Sequence, residues 1–203
     1  MNKKKERDSK HYNLVYEGSE VYCKEPEDIP QYYPMWSAAG DIVSKAGCST
    51  IVDLGCGPGH FAKVLINKGV FDGVAKEYYG YDFSSVSIGM AKNIVNSHGA
   101  CFFEERDLLG FDFFSSKPKD TMYVSFEFLE HICGDLSIVK KIPSKSKVCF
   151  SVPSFDAYGH VRFFKNKAEV IKRYSKFINI KYIKEFMQPN GSHIIYLVEG
   201  IRI

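Results

Sequence analysis

Strand-like and helix-like segments alternate along this chain between about residue 50 and residue 175, and this alternation limits the folds open to it. Five short runs rich in β-branched and aromatic residues are predicted to be strands, at 50–54, 78–83, 101–103, 121–126 and 147–152. Segments with apolar residues at helical spacing lie between several of these runs. This alternation predicts a mostly parallel sheet with helices on both faces.

Two longer strand-like runs, 177–186 and 193–203, close the sequence. The Asn190-Gly191 dipeptide between them is typical of a hairpin turn, which adds an antiparallel pair at one edge of the sheet. The sequence therefore predicts an α/β fold, a Rossmann-like, seven-stranded, mostly parallel sheet with a C-terminal antiparallel hairpin.

The chain has 203 residues, which suits one compact domain, and its N-terminal part divides into two segments. Residues 1–20 are polar and without a pattern, and we expect a mobile tail there. Residues 21–47 combine prolines with aromatic side chains and are expected to cover the domain formed by residues 48–203.

Charge and cysteine usage exclude several classes of protein. The net charge is only +3, much of it in the tail, which argues against a nucleic-acid partner. No apolar run reaches the ~18 residues of a membrane span, and no signal-peptide pattern follows the charged N-terminus. The six cysteines are scattered without a C-x-x-C pair, which indicates free thiols in a reducing cytoplasm.

A glycine-rich loop follows the first predicted strand, where residues 52–59 read VDLGCGPG. Glycines between a strand and a helix let the backbone approach a ligand closely. No G-K-[ST] follows, which excludes a nucleoside-triphosphate loop, and the glycine spacing is not that of a dinucleotide-binding fingerprint. The loop therefore predicts a small-molecule site at the carboxyl end of this strand.

This loop, with Asp53 before its glycines, resembles the first motif of class I S-adenosylmethionine-dependent methyltransferases. The resemblance implies S-adenosylmethionine as cofactor and S-adenosylhomocysteine as product. It also implies that Gly55 and Gly57 admit the methionine and ribose portions, and that Asp53 helps to hold the amino end.

The ends of three further strands match the family in order. Asp82 ends the second strand, where an acid can accept both ribose hydroxyls. By resemblance, Phe83 packs on the adenine, and Asp107 and Leu108 contact the adenine edge. Phe126, after the fourth strand, lines the cavity for cofactor and substrate.

The segment after the fourth strand carries the candidate catalytic groups. If a helix begins there, Glu127, Glu130 and His131 share one face. His131 is a candidate general base, or else a brace for the loop. His160, after the fifth strand, is expected to face His131, and Arg162 to clamp an acidic group or pair with nearby acids.

The same residues also suggest a metal site. Glu127, Glu130, His131 and His160 form a set of ligands suited to Mg²⁺ or Mn²⁺. This set is similar to the pattern in small-RNA 3′-end 2′-O-methyltransferases, where a metal grips the terminal ribose. The basic surface of those enzymes is absent here.

Three aromatic residues before the sheet are candidate substrate contacts. The N-terminal helix of this superfamily commonly covers the cofactor and substrate. Tyr32, Tyr33 and Trp36 are therefore expected on the pocket side of a lid, although plain packing on the sheet would also explain them.

The combined interpretation is a methyltransferase acting on an oxygen of a small polar metabolite or sugar. Oxygen is preferred because two histidines offer bases, and because SFEF follows the fourth strand in place of an Asn-Pro-Pro-Tyr amino-methylation motif. The alternatives are a metal-dependent RNA 2′-O-methyltransferase and a non-catalytic binding subunit. The sequence identifies neither the acceptor nor the oligomeric state.

Overall fold

The computed structural model describes residues 6–73, 75–112 and 120–203, which form a seven-stranded sheet with helices on both faces. The strands are β1 (Thr50–Leu54), β2 (Glu77–Asp82), β3 (Cys101–Glu105), β4 (Thr121–Ser125), β5 (Lys147–Pro153), β6 (Ile178–Met187) and β7 (Ile194–Arg202). The helices are α1 (Ser9–Glu17), α2 (Tyr33–Ala46), α3 (His60–Asn67), α4 (Ser85–Ile94), α5 (Asp135–Lys141) and α6 (Lys167–Tyr174).

The strand order is β3-β2-β1-β4-β5-β7-β6, and β7 runs antiparallel to both of its neighbours. The predicted Rossmann-like fold with a C-terminal antiparallel hairpin is confirmed. The chain reverses its direction of travel across the sheet between β1 and β4, which is the switch point where ligands bind in open α/β sheets.

The central strand β1 divides the core in two. All five of its residues are buried, and alternate side chains enter opposite layers. Ile51 packs with α2, α3 and α4, whereas Val52 and Leu54 pack with α5 and α6. Burial on both faces explains why β1 reads as a continuous apolar run interrupted only by Asp53.

The N-terminal region differs from the sequence prediction. We expected residues 1–20 to be a mobile tail, but Ser9–Glu17 forms α1. Its N-cap is Asp8, whose side chain accepts a hydrogen bond from the His11 amide. This helix contacts α4, and it contains no buried residue. The segment therefore lacks the wide apolar stripe of a helix that packs on a core, and only the spacing of its aromatic residues indicates a helix.

Three further features concern the start of helix α2, the cysteines and the lengths of the helices. Helix α2 begins at Tyr33, and Pro34 fits its first turn, where no intrahelical N–H bond is needed. All six cysteines are free, and three of them are buried. Within the described residues, no helix combines the length and apolar character needed to cross a membrane.

Candidate active site

A cavity of about 310 Å³ lies at the carboxyl ends of the parallel strands, at the β1/β4 switch point. Its floor is formed by the loops after β1, β2, β4 and β5, and α1 together with residues 21–36 lies across it. Eleven of the predicted site residues line it: Asp53, Gly55, Gly57, Asp82, Phe83, Phe126, His131, His160, Glu127, Tyr32 and Trp36.

The backbone of the glycine loop after β1 lines the cavity directly, because the loop has no room for side chains at its glycines. Gly55 has φ +79°, and a Cβ there would lie 2.4 Å from the Phe128 ring. The amide of Gly55 donates to the carbonyl of Tyr81, which ties the loop to the end of β2. Any side chain at this position would therefore displace the aromatic wall of the cavity.

Asp53 presents one unpaired oxygen to the cavity. The carboxylate is buried, and Tyr78 donates its hydroxyl hydrogen to Oδ2. Within the described residues, Oδ1 has no hydrogen-bond partner. Burial raises the pKa of Asp53 to about 7, with a smaller contribution from Asp82. A cationic group, such as the ammonium of an amino acid, would satisfy this oxygen and stabilise its charged form.

Asp82 is held in place by backbone amides. Its Oδ1 accepts from the Ser84 amide at 2.9 Å, and its Oδ2 accepts from the Gly57 amide at 3.1 Å. Each oxygen keeps a second lone pair, so the carboxylate can still accept two hydroxyl hydrogens from the cavity.

The third predicted acid lies apart from this cavity. Asp107 is exposed, and its carboxylate accepts from the Leu109 amide in a more open groove that Phe83 also lines. Leu108 is buried in the layer beneath the sheet. Their assignment to the adenine stays a prediction.

The segment after β4 is a loop, so the helix predicted to begin there is wrong. Residues 126–134 form turns, and Glu127 has φ +52°, which a helix does not allow. The Glu127 amide donates to the Ser151 hydroxyl oxygen, and that hydroxyl donates back to Oε1 of Glu127. Burial raises the pKa of Glu127 to about 7. The Glu127 side chain is therefore anchored to β5 instead of sharing a helix face with His131.

His131 and His160 meet at the acceptor end of the cavity, and their ring centroids are 4.8 Å apart. Nδ1 of His131 lies 3.2 Å from the Gly159 carbonyl oxygen and 2.9 Å from the Tyr12 hydroxyl. Nδ1 of His160 lies 3.1 Å from the Phe155 carbonyl oxygen. Burial and the neighbouring His160 lower the pKa of His131 to about 4, so its imidazole is neutral at pH 7.

Comparison with known proteins gives similarity to methyltransferases. Residues 51–142 match the sequence model of a methyltransferase domain family. The match spans just under half of the chain, and the chain has the fold of class I methyltransferases. S-adenosylmethionine fits the site as a cofactor, because backbone amides hold Asp82 and one oxygen of Asp53 is unpaired among the described residues.

Solved structures of methyltransferases share the whole fold at low sequence identity. The N-methyltransferase NodS from Bradyrhizobium japonicum WM9, solved with S-adenosyl-L-homocysteine, has a TM-score of 0.69 and 14% identity, over 97% of this chain and 99% of that chain. The magnesium protoporphyrin IX methyltransferase ChlM from Synechocystis PCC 6803, solved with bound SAM, has a TM-score of 0.62 and 14% identity, over 97% and 98%. No curated protein matches the sequence significantly.

The predicted lid residues of this methyltransferase separate into two groups. Tyr32 and Trp36 line the cavity, and Trp36 stacks on His60 with ring centroids 5.4 Å apart. Tyr33 does not line the cavity and is half-buried against the core layer of α2. Plain packing, the alternative explanation, therefore describes Tyr33.

Arg162, which was also predicted to contact the substrate, lies outside the cavity. Its guanidinium lies 3.2 Å from the buried carboxylate of Asp135 and also donates to the carbonyls of Leu129 and Cys133. Asp135 is shared with Arg173 and Tyr174. Arg162 does not line the cavity, and its contacts are those of the ion-pairing alternative, so its role as a substrate clamp stays a prediction.

Sequence reasoning missed the cavity residues of α1 and the turn before it. Arg7, His11, Tyr12 and Tyr16 all line the cavity of the methyltransferase. Tyr12 and Tyr16 lie one helical turn apart on one face, after the N-cap residue Asp8, and this spacing was the available signal.

Proposed function

We propose that this methyltransferase transfers the methyl group of S-adenosylmethionine to an oxygen of a small polar acceptor. The observation that carries the proposal is the pair of imidazoles, half-buried His131 and buried His160, at one end of the cavity. An uncharged imidazole suits a hydroxyl acceptor because its ring nitrogen can attract the hydroxyl proton without repelling the sulfonium.

The size and charge of the molecule support a small acceptor. Helix α1 and residues 21–36 cover a cavity of about 310 Å³, and the chain outside its basic first residues is close to neutral. A polymer such as RNA would need an open, positively charged groove. We infer that residues 21–47 act as a cover for the catalytic domain formed by residues 48–203, with α1 as a further part of that cover.

The proposed residue roles follow from the contacts in the cavity. Asp53 binds the ammonium of the cofactor through Oδ1, and Asp82 binds the ribose hydroxyls. Gly55 and Gly57 leave room for the cofactor backbone, and Phe83 packs on the adenine. Phe126, Tyr32 and Trp36 complete the apolar wall, which excludes water from the transferred methyl group.

The transfer itself is an in-line displacement. The acceptor oxygen forms a bond to the methyl carbon, the carbon–sulfur bond breaks, and its electron pair stays on sulfur to give S-adenosylhomocysteine. The acceptor loses its hydroxyl proton in the same reaction. The site contributes mainly by holding the oxygen in line with the carbon–sulfur bond, since such positioning supplies much of the rate of a two-substrate reaction.

Isotope-labelled cofactor tests this proposal in two stages. Calorimetric titration with S-adenosylhomocysteine should show one site per chain. The protein is then incubated with methyl-labelled S-adenosylmethionine and matched acceptors, a panel of sugars and hydroxy acids against the corresponding amino sugars and amino acids. Label in methyl ethers or esters supports the proposal, and label carried only by nitrogen would overturn it.

A further inference from the structure

Three potential metal ligands converge beside the cavity, and two of them, His131 and His160, line it. One donor atom from each of Glu130, His131 and His160 lies within 4.8 Å of the other two. Glu130 and His131 come from the loop after β4, and His160 comes from the loop after β5. These loops are tied together, because the Val161 amide donates to the carbonyl of Glu130 at 2.8 Å. The cluster is therefore part of the folded scaffold.

The carboxylate of Glu130 lacks the partners that a buried charge requires. Glu130 is 0% exposed, and neither of its oxygens has a hydrogen-bond partner among the described residues. Burial of a carboxylate without compensation is expensive. A cation at this position would satisfy both oxygens in place of a proton.

The two imidazoles have the orientation of metal ligands. The carbonyl oxygens of Gly159 and Phe155 lie within hydrogen-bond distance of Nδ1 in His131 and His160 respectively. A carbonyl can only accept, so each contact assigns the proton to Nδ1 and leaves the lone pair on Nε2. Backbone groups hold metal-binding histidines in this way in known metal sites.

We propose that Glu130, His131 and His160 bind one divalent transition-metal ion, which holds the acceptor oxygen for methyl transfer. Two nitrogens and one carboxylate suit Mn²⁺, Fe²⁺ or Zn²⁺ better than Mg²⁺, which prefers oxygen ligands. The set differs from the one predicted from the sequence, because Glu127 is anchored to Ser151 and does not join the cluster.

This proposal rests on the proposed function, since the ion acts on a hydroxyl acceptor. Three protein ligands leave coordination positions open for that oxygen. A bound cation lowers the pKa of the hydroxyl, whose proton leaves to water, and the oxygen then attacks the methyl carbon.

Metal binding to the complete protein tests the site without relying on activity. The chelator-treated, full-length protein is titrated with Mn²⁺ and followed by electron paramagnetic resonance. Mn²⁺ is the probe because the six free thiols would capture Zn²⁺. We expect one Mn²⁺ per chain, and at least a hundredfold weaker binding in Glu130→Ala and in His160→Ala. Glu127→Gln is the matched control and should bind within a few-fold of wild type.

The outcomes separate the metal site from the proposed function. Absence of Mn²⁺ binding in wild type, or equal binding in Glu130→Ala, overturns the metal site. Calorimetry with S-adenosylhomocysteine shows that each variant is folded, since the cofactor site is separate. Label transfer to hydroxyl acceptors that persists in chelator overturns the metal role while the proposed function stands. Mn²⁺ binding with label only on nitrogen overturns the function and the role of the ion in it.

Discussion

The hydroxyl oxygen of Tyr12 lies 2.9 Å from Nδ1 of His131, although the two residues are 119 positions apart in the sequence. Helix α1 also reaches the ribose end of the cavity, where the Ser84 hydroxyl donates to the side-chain oxygen of Asn13 at 2.7 Å. One helix therefore contacts both the loop after β2 and His131 in the loop after β4.

Removal of the Tyr12 hydroxyl should slow the reaction without weakening cofactor binding. A single hydrogen bond of ~1 kcal/mol corresponds to about fivefold, so Tyr12→Phe should lower kcat about fivefold. The KM for S-adenosylmethionine should stay within about twofold of wild type. Steady-state kinetics on both substrates measures the two effects separately.

Tyr16→Phe is the matched control for this prediction. The Tyr16 hydroxyl lies beside the glycine loop, 3.4 Å from where a Cβ of Gly57 would be, and the residue is half-buried. Its removal should raise the KM for S-adenosylmethionine and leave kcat nearly unchanged. Identical kinetic profiles of the two variants would contradict the separate roles.

Much of the cofactor half could be predicted from the sequence, because its residues follow strands that are themselves recognisable. Asp53 lies near the end of the buried strand β1, and Asp82 ends β2, whose last three residues are buried. Parallel strands bring their carboxyl ends to one edge of the sheet. The loop after β4 could not be predicted, since the positive φ of Glu127 depends on its contacts with Ser151 on β5. Long-range contacts of this kind leave no local signal in a helix-like run such as EFLEH.

Cofactor affinity should depend on pH through Asp53. Its pKa is raised to about 7 in the folded protein, so below pH 7 the carboxyl is mostly protonated. The cofactor ammonium binds the ionised form, and binding must then displace the proton. The Kd for S-adenosylhomocysteine should fall as pH rises from 6 to 8, by up to about tenfold per unit below pH 7. Calorimetry in buffers of different ionisation enthalpy should also detect the released proton.

Asp53→Asn provides the control for this pH dependence. The variant should bind S-adenosylhomocysteine more weakly and with a flat profile between pH 6 and 8. Stability of the cofactor-free wild type should change in the opposite sense. Its native state holds this proton between about pH 4 and pH 7 and the unfolded state does not, so stability falls as pH rises. A pH-independent wild-type Kd would contradict the assignment.

Asp82 and Asp107 should differ sharply in their importance for cofactor binding. Asp82→Asn replaces an acceptor that two backbone amides require, and it should weaken S-adenosylhomocysteine binding at least tenfold. Asp107 is exposed, so Asp107→Asn should change the Kd by less than about threefold. Calorimetric titration of both variants measures the difference. Equal losses would assign Asp107 a contact with the cofactor as strong as that of Asp82.

Arg162 should contribute to stability and not to acceptor recognition. The side chain of Asp135 is 0% exposed and is shared by Arg162 and Arg173, so loss of either arginine leaves a buried carboxylate less well compensated. Breaking a buried ion pair destabilises by ~3 kcal/mol, and Arg162→Ala should lower the free energy of unfolding by about this amount.

Denaturant titration measures that change, and Arg106→Ala is its control. Arg106 forms an exposed pair with Glu104, with side chains 47% and 49% exposed, so its removal should change stability by less than ~1 kcal/mol. Below the unfolding transition, Arg162→Ala should keep the wild-type KM for the acceptor. A raised KM with unchanged stability would contradict the ion-pairing role of Arg162. It would favour the substrate clamp that the sequence suggested, because an acceptor contact affects KM without stabilising the fold.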